Sequence, residues 1–174
     1  EESKAAITEL QKEIAELAQQ EVVYLRKQLD RYIALHPEFL NSLTPLPPGP
    51  SVPGVPNVVK EMIESGFRTN TGPMASVAGM FARHTAEKIR ARFPVKELVV
   101  ENGGDYYLFL KEDLLMTVFA GDSPLSEKIG VIVPAADTPC GICTSSGTVG
   151  PSHSFGKADA VMVACYSPTL ADGW

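Results

Sequence analysis

Glu97-Leu98-Val99-Val100-Glu101-Asn102-Gly103-Gly104-Asp105-Tyr106-Tyr107-Leu108-Phe109-Leu110 sets two runs of β-branched, aromatic and aliphatic residues on either side of Asn-Gly. Asn-Gly accepts the positive φ angles that a tight hairpin turn demands, so the stretch reads as two antiparallel strands joined by the shortest kind of loop. Further strands are expected downstream at 114–120, 129–133 and 158–165. The last is continuous enough in Ala and Val to read as a central, buried strand. Upstream of the hairpin the pattern is helical. Helices first and strands afterwards predict an α+β fold, a mostly antiparallel sheet packed against helices.

The helical half opens with a long element over about residues 5–35. Ile7, Leu10, Ile14, Leu17, Leu25, Leu29, Tyr32 and Ile33 recur at helical spacing, with Ser3 placed to cap the start. Pro37 ends it by pushing His36 out of the α region. The heptad pattern slips after about four turns, which favours packing on the core over a coiled coil. Residues 44–57 carry Pro45, Pro47, Pro48, Pro50, Pro53 and Pro56 with two glycines, a stiff extended connector. A short helix at 58–65 and a longer one at 73–92 follow, the second with Pro73 at its first position and Gly72 as its cap. Ala75, Ala78, Gly79, Ala82 and Ala86 line one face, a stripe small enough for close approach to a sheet or backbone. The start of that helix, 71–75, also offers bare backbone groups to a phosphate or a metal.

A length of 174 residues, 44% hydrophobic and 21% charged, suits a single domain over 1–174 with an ordinary core. A net charge of −6 argues against nucleic acid, which needs concentrated Lys and Arg. No apolar run approaches the roughly 20 residues of a membrane span, and the first residues lack the apolar stretch of a signal peptide. The first residue is not Met, so the natural chain is expected to extend beyond both ends. Three cysteines make a poor disulfide framework, and the cytoplasm is the expected compartment.

Four places have the residue types of a site. The Gly103-Gly104-Asp105 turn lets a ligand approach the backbone, although it is also simply a hairpin turn. Ser145-Ser146-Gly147-Thr148, within the hydroxyl-rich stretch from Cys143 to Gly150, supplies donors and open amides suited to ribose or pyrophosphate, with His153 beside it. Cys140-Gly141-Ile142-Cys143 has the spacing of a redox pair or half a zinc site. Its ligand count is short and a Ser/Gly turn follows it, so both thiols are expected free and without metal. Asp172 stands at the start of a helix, where an Asp either caps the helix or holds Mg²⁺ near a phosphate.

Taken together, the segments Gly72-Pro73-Met74-Ala75-Ser76-Val77-Ala78-Gly79, Val100-Glu101-Asn102-Gly103-Gly104-Asp105, Cys143-Thr144-Ser145-Ser146-Gly147-Thr148-Val149-Gly150, Ser154-Phe155-Gly156-Lys157-Ala158-Asp159-Ala160-Val161 and Ala171-Asp172 resemble an uncharacterised prokaryotic ApbE-like family. That family is distantly similar to the FAD:protein FMN transferases. The resemblance implies FAD held by Gly103, Gly104 and Asp105 on one side and Ser146-Gly147 on the other, and Mg²⁺ held partly by Asp172 near the helix start at 72–79. It implies a flavin transferase or a pyrophosphate-cleaving relative, or else a pocket that binds a flavin or small ligand without catalysis. The chain departs from the transferases in its short loop after Ser146-Gly147, which has His153 but no Asp-Pro-x-Thr-Gly.

Overall fold

A computed structural model describes residues 2–47, 54–150 and 154–174, with side chains described from Ile7 onward. Part of the Pro-rich connector and His153 lie outside the described residues. The order of elements is α1 (Glu2–Leu35), α2 (Glu38–Asn41), α3 (Asn57–Thr69), a 3₁₀ turn (Pro73–Ser76), α4 (Val77–Arg92), β1 (Leu98–Asn102), β2 (Asp105–Phe109), β3 (Leu114–Thr117), β4 (Gly130–Val133), β5 (Cys140–Ser145), β6 (Val161–Cys165) and α5 (Pro168–Gly173). The fold is α+β, with antiparallel sheets packed against helices and the long helix at the N-terminus. No helix among the described residues is long and apolar enough to cross a membrane.

The hairpin forms, with its two-residue turn one position later than Asn-Gly places it: Asn102 ends the strand opposite Asp105, and Leu98 lies opposite Phe109. Gly103 and Gly104 both take positive φ, +67° and +103°, the conformation that selects Gly in a two-residue turn. The main sheet runs β1-β2-β5-β6, and β3 pairs with β4 as a separate ribbon. Leu114, Met116 and Val133 of that ribbon pack on Leu108, Cys140 and Ile142 of the sheet's outer face. The helices cover the other face, where Ala82 and Ala86 of α4 lie against Tyr107. A second core joins Leu25 and Leu29 of α1 to Val58, Val59 and Met62 of α3 and Met80 of α4.

Three expectations change. The run at 158–165 reads as central, but β6 is an edge strand of the described sheet, with Val161 46% exposed. The inner place goes to β5, read from sequence as a cysteine motif and a loop. Its Gly141 leaves the strand flat enough for α5 to lie on it: a Cβ there would stand 2.3 Å from the Pro168 Cα. The helix expected to stop at 65 continues through Gly66 to Thr69 and ends at Asn70, which sits in the left-handed region at φ +60°. Finally, the start of the 73–92 helix is not bare. A Cβ at Gly72 would meet the Ser42 carbonyl oxygen at 1.8 Å, so the chain after α2 covers it.

Candidate functional site

The turn end of the β1–β2 hairpin, the C-terminal half of β5, the first turn of α4 and all of α5 meet in one place. Antiparallel pairing sets Asp105 beside Cys143, and Ser145 lies two residues further along β5. Strand alternation then points Asp105, Cys143 and Ser145 to the helical side. There α5 is wedged between α4 and β5. Its Ser167 caps it by accepting from the Leu170 N–H, so Asp172, expected at the helix start, lies instead at its C-terminal end, one turn after Pro168.

Asp172 Oδ2 accepts the Gly79 N–H at 2.8 Å, in the first turn of α4, where helix N–H groups have no partner of their own. The contact lies a turn beyond the 72–75 backbone singled out from the sequence. Gly79 permits it, since a Cβ there would stand 2.3 Å from the Pro168 carbonyl oxygen. The Cys143 thiol donates to that same oxygen at 3.4 Å and lies within hydrogen-bond reach of Asp105. Nearby, the Asn102 side-chain amide donates to the Ala78 carbonyl at 3.2 Å, and Glu101 Oε1 accepts the Gly104 N–H at 2.9 Å.

Burial governs the charges. It pushes the Asp172 carboxyl up to about 8, the Asp105 charge adds to the rise, and the N–H groups of Gly79 and Ala78 only partly offset it. Asp105 is pushed up to about 6, first by burial and further by the Glu101 charge, against hydrogen bonds from Cys143 and the Thr144 backbone. The Cys143 thiol is driven upward by burial and by both carboxylates, which keeps it protonated. Among the described residues neither carboxylate pairs with a cation.

Of the residues singled out from sequence, Gly103, Gly104, Asp105, Ser145 and Asp172 thus gather at one end of the sheet. The rest of the hydroxyl-rich loop is turned on itself. Ser146 Oγ accepts the N–H groups of Thr148 and Val149 at 3.1 and 2.8 Å, and Thr148 Oγ1 donates to Asp159 at 3.0 Å. The Gly147 N–H donates to the Ala158 carbonyl at 2.9 Å. Cys140 and Cys143 sit on opposite faces of β5, because three residues along a strand reverses the side-chain direction. Both are free thiols, and one ion cannot bridge them.

Sequence reasoning missed a second polar cluster. Glu61 of α3 takes Arg83 Nη1 on one oxygen at 2.9 Å and His84 Nε2 on the other at 2.7 Å, and it also accepts the Thr169 hydroxyl. Ser65 Oγ donates to the Thr169 carbonyl at 2.9 Å. Burial works to raise the Glu61 carboxyl, but the hydrogen bonds from His84 and Thr169 and the Arg83 charge outweigh it and hold the group below its ordinary value. This cluster fixes α5, and with it Asp172, against α3 and α4. Its only sequence signal is the adjacent Arg83-His84 between the small residues Ala82 and Ala86 of α4.

A family model described as AbpE bacteria matches residues 4–174. The UPF0280 protein of Methanothrix thermoacetophila is 38% identical over 168 residues, which is 97% of this chain and 69% of that protein. The UPF0280 proteins of Methanosphaerula palustris and Methanococcus aeolicus are 38% and 39% identical, over 91% and 90% of this chain. The chain spans 65% and 62% of the length of those two relatives. Model and relatives agree, and the chain belongs to the prokaryotic AbpE bacteria family, alongside the archaeal UPF0280 proteins.

Proposed function

We propose that the end of the sheet at Gly103–Gly104, Asp105 and Ser145 binds the diphosphate of a nucleotide, FAD or a close relative, together with Mg²⁺ at Asp172. One observation carries the reading: the buried Asp105 carboxyl and the partly buried Asp172 carboxyl meet at a helix start with no cationic partner among the described residues. The donor set fits the ion. Mg²⁺ takes oxygen ligands, commonly one or two carboxylates plus phosphate and water, so a site with few protein ligands suits an ion that arrives with its nucleotide. When bound, Mg²⁺ would neutralise the diphosphate and polarise its bridging bond.

The chain's own groups do the positioning. The Gly103–Gly104 turn leaves room for a ligand against its backbone, the positive end of α4 that Asp172 caps lies beside it, and Ser145 adds a hydroxyl. Gly147 and Thr148 brace this wall through Ala158 and Asp159, and the proposal includes His153, which follows them in the sequence. The resemblance to FAD:protein FMN transferases makes cleavage of the diphosphate the activity to test. Binding without catalysis is the second reading. It is favoured by the inward-turned hydroxyls of Ser146 and Thr148 and by the protonated Cys143, none of which is an activated nucleophile. Cytoplasmic location belongs with the proposal.

The test is thermal melting of the purified chain with FAD, FMN or ADP, each with Mg²⁺ or with a chelator. A ligand at a hundred times its Kd stabilises by roughly 2.7 kcal/mol. The expected result is a rise in Tm that needs Mg²⁺ and is reduced to its Mg²⁺-independent part in Asp172→Ala. An unchanged Tm with all three nucleotides refutes the proposal. Release of FMN or AMP from FAD separates the catalytic reading from the binding one.

A further inference from the structure

The four-stranded sheet has two edges, and only one of them is guarded. β1 carries Glu101 and is flanked by Lys96 and Glu97, charges of the kind that keep a second strand off an exposed edge. β6 is Val161-Met162-Val163-Ala164-Cys165, a strand with no charge, no proline and no glycine. It pairs with β5 on one side, and among the described residues no backbone group hydrogen-bonds its other side. An unguarded apolar edge is a template for another strand.

We infer that this edge is closed by β6 of a second copy of the chain, in a twofold dimer whose two four-stranded sheets become one. The strand is self-complementary. Run antiparallel to itself about Val163, it sets Val163 against Val163, Val161 against Cys165 and Met162 against Ala164 of the second copy, each an apolar pair on one face of the sheet. Both faces continue across the join. Val161, Val163 and Cys165 lie on the helical side with Cys143 and Ser145, and Met162 packs with Ile142 on the ribbon side. Charge at the strand's two ends favours a second copy over an unrelated strand. At the far end Tyr166, 70% exposed, takes Arg68 Nη1 on its hydroxyl at 2.8 Å, with Glu64 close by. Before the near end stand Lys157 and Asp159, both exposed, the latter accepting the Thr148 hydroxyl. Twofold pairing brings Tyr166 opposite Ala160 of the second copy, so Arg68 of each chain meets Asp159 of the other, and symmetry makes the contact twice. Elsewhere a net charge of −6 holds copies apart; at this edge nothing repels. The inference does not rest on the nucleotide reading.

Sedimentation equilibrium of the full chain over a wide range of concentration should give twice the chain mass at the upper end. Amide hydrogen exchange across 161–165 should slow as the dimer forms. Ala164→Lys places the residue that natural edges use as a guard at an exposed position, and should leave a monomer with unchanged circular dichroism. Arg68→Asp, on an exposed side chain, should weaken the dimer about tenfold, and adding Asp159→Arg should recover most of that loss. This charge swap carries the test by itself if Ala164→Lys does not fold. A chain that stays monomeric at every concentration overturns the inference and leaves the edge to a strand of another kind. So does a dimer that Arg68→Asp leaves as tight as before. A dimer whose β6 amides exchange as fast as the monomer's overturns it too, because the copies then meet elsewhere.

Discussion

Gly79→Ala reverses the sign of a familiar substitution. Inside a helix, Gly to Ala normally stabilises by roughly 1 kcal/mol. Gly79 lies in the first turn of α4, and a Cβ there would stand 2.3 Å from the Pro168 carbonyl oxygen and 2.9 Å from the Asp172 Cβ. Non-bonded contact needs roughly 3.5 Å, so α5 would have to retreat by on the order of 1 Å. It is not free to do so. Thr169 is bonded to Glu61, the Thr169 carbonyl to Ser65, and the Pro168 carbonyl to Cys143. Overpacking costs roughly 1–3 kcal/mol, and each strained hydrogen bond adds up to about 1 kcal/mol. Subtracting the helix gain leaves a net loss of about 1–3 kcal/mol. For a chain of this size that lowers Tm by roughly 3–10 °C. Urea unfolding followed by circular dichroism measures the difference directly. A variant as stable as the parent, or more so, would show that α5 does not pack as described.

Three further outcomes follow from the same geometry. Glu61→Gln keeps the volume but loses the charge that Arg83 and His84 face, and should cost about 1–2 kcal/mol at neutral pH. Because the Glu61 carboxyl is held low in the folded state, the deficit should vanish as pH falls through that lowered value; a deficit that persists in acid would refute the assignment. Gly103→Ala meets no atom within 4 Å but must hold φ +67°, so it should cost only about 1–2 kcal/mol; a much larger loss in the urea midpoint would mean that the turn is packed. Mild oxidation of the folded protein should form no Cys140–Cys143 disulfide, and mass spectrometry finding that bridge would contradict their placement on opposite faces.

What was legible in the sequence was local. Asn102-Gly103-Gly104 marked the turn, although it is Gly103 and Gly104, not Asn102, that take the positive φ closing so short a hairpin, and the 3.6-residue stripe of α1 could not be mistaken for a strand. The strand order was not legible. Both β5 and β6 are short, and periodicity does not say which of two such runs has neighbours on both sides; Gly141 decides it, through a helix that comes later in the chain. The site was legible as residue types, since Gly103–Asp105 and Asp172 stand in recognisable surroundings. Their geometry was not. Asp172 bonds a residue 93 positions away. Cys143 looked like half of a C-x-x-C motif until strand alternation separated it from Cys140. Glu61 carries no motif at all, because a half-buried ion cluster is made by three helices meeting and not by spacing along one.

The paired acids give the site a signature that stability alone can read. Asp172 at about 8 and Asp105 at about 6 both stand above the roughly 3.9 of an unfolded aspartate. A carboxyl raised on folding binds its proton more tightly in the native state, so the stability it contributes is complete below about pH 4 and is lost as pH rises through 6 and then 8. Glu61 acts in the opposite sense and only in acid. Stability should therefore peak in mildly acidic solution and decline towards pH 8, against the usual trend of acid-labile proteins. Asp172→Asn removes the upper of the two titrations, and its Tm should fall less than the parent's between about pH 6 and pH 9. If Asp172 takes Mg²⁺, the ion stabilises the charged form, so millimolar Mg²⁺ should flatten the parent's decline and leave the Asn variant untouched. A parent whose Tm stays level or climbs from pH 5 to pH 8 would show that the two carboxyls ionise without penalty. The argument for a cation site would then lose its footing, even with every residue where the fold puts it.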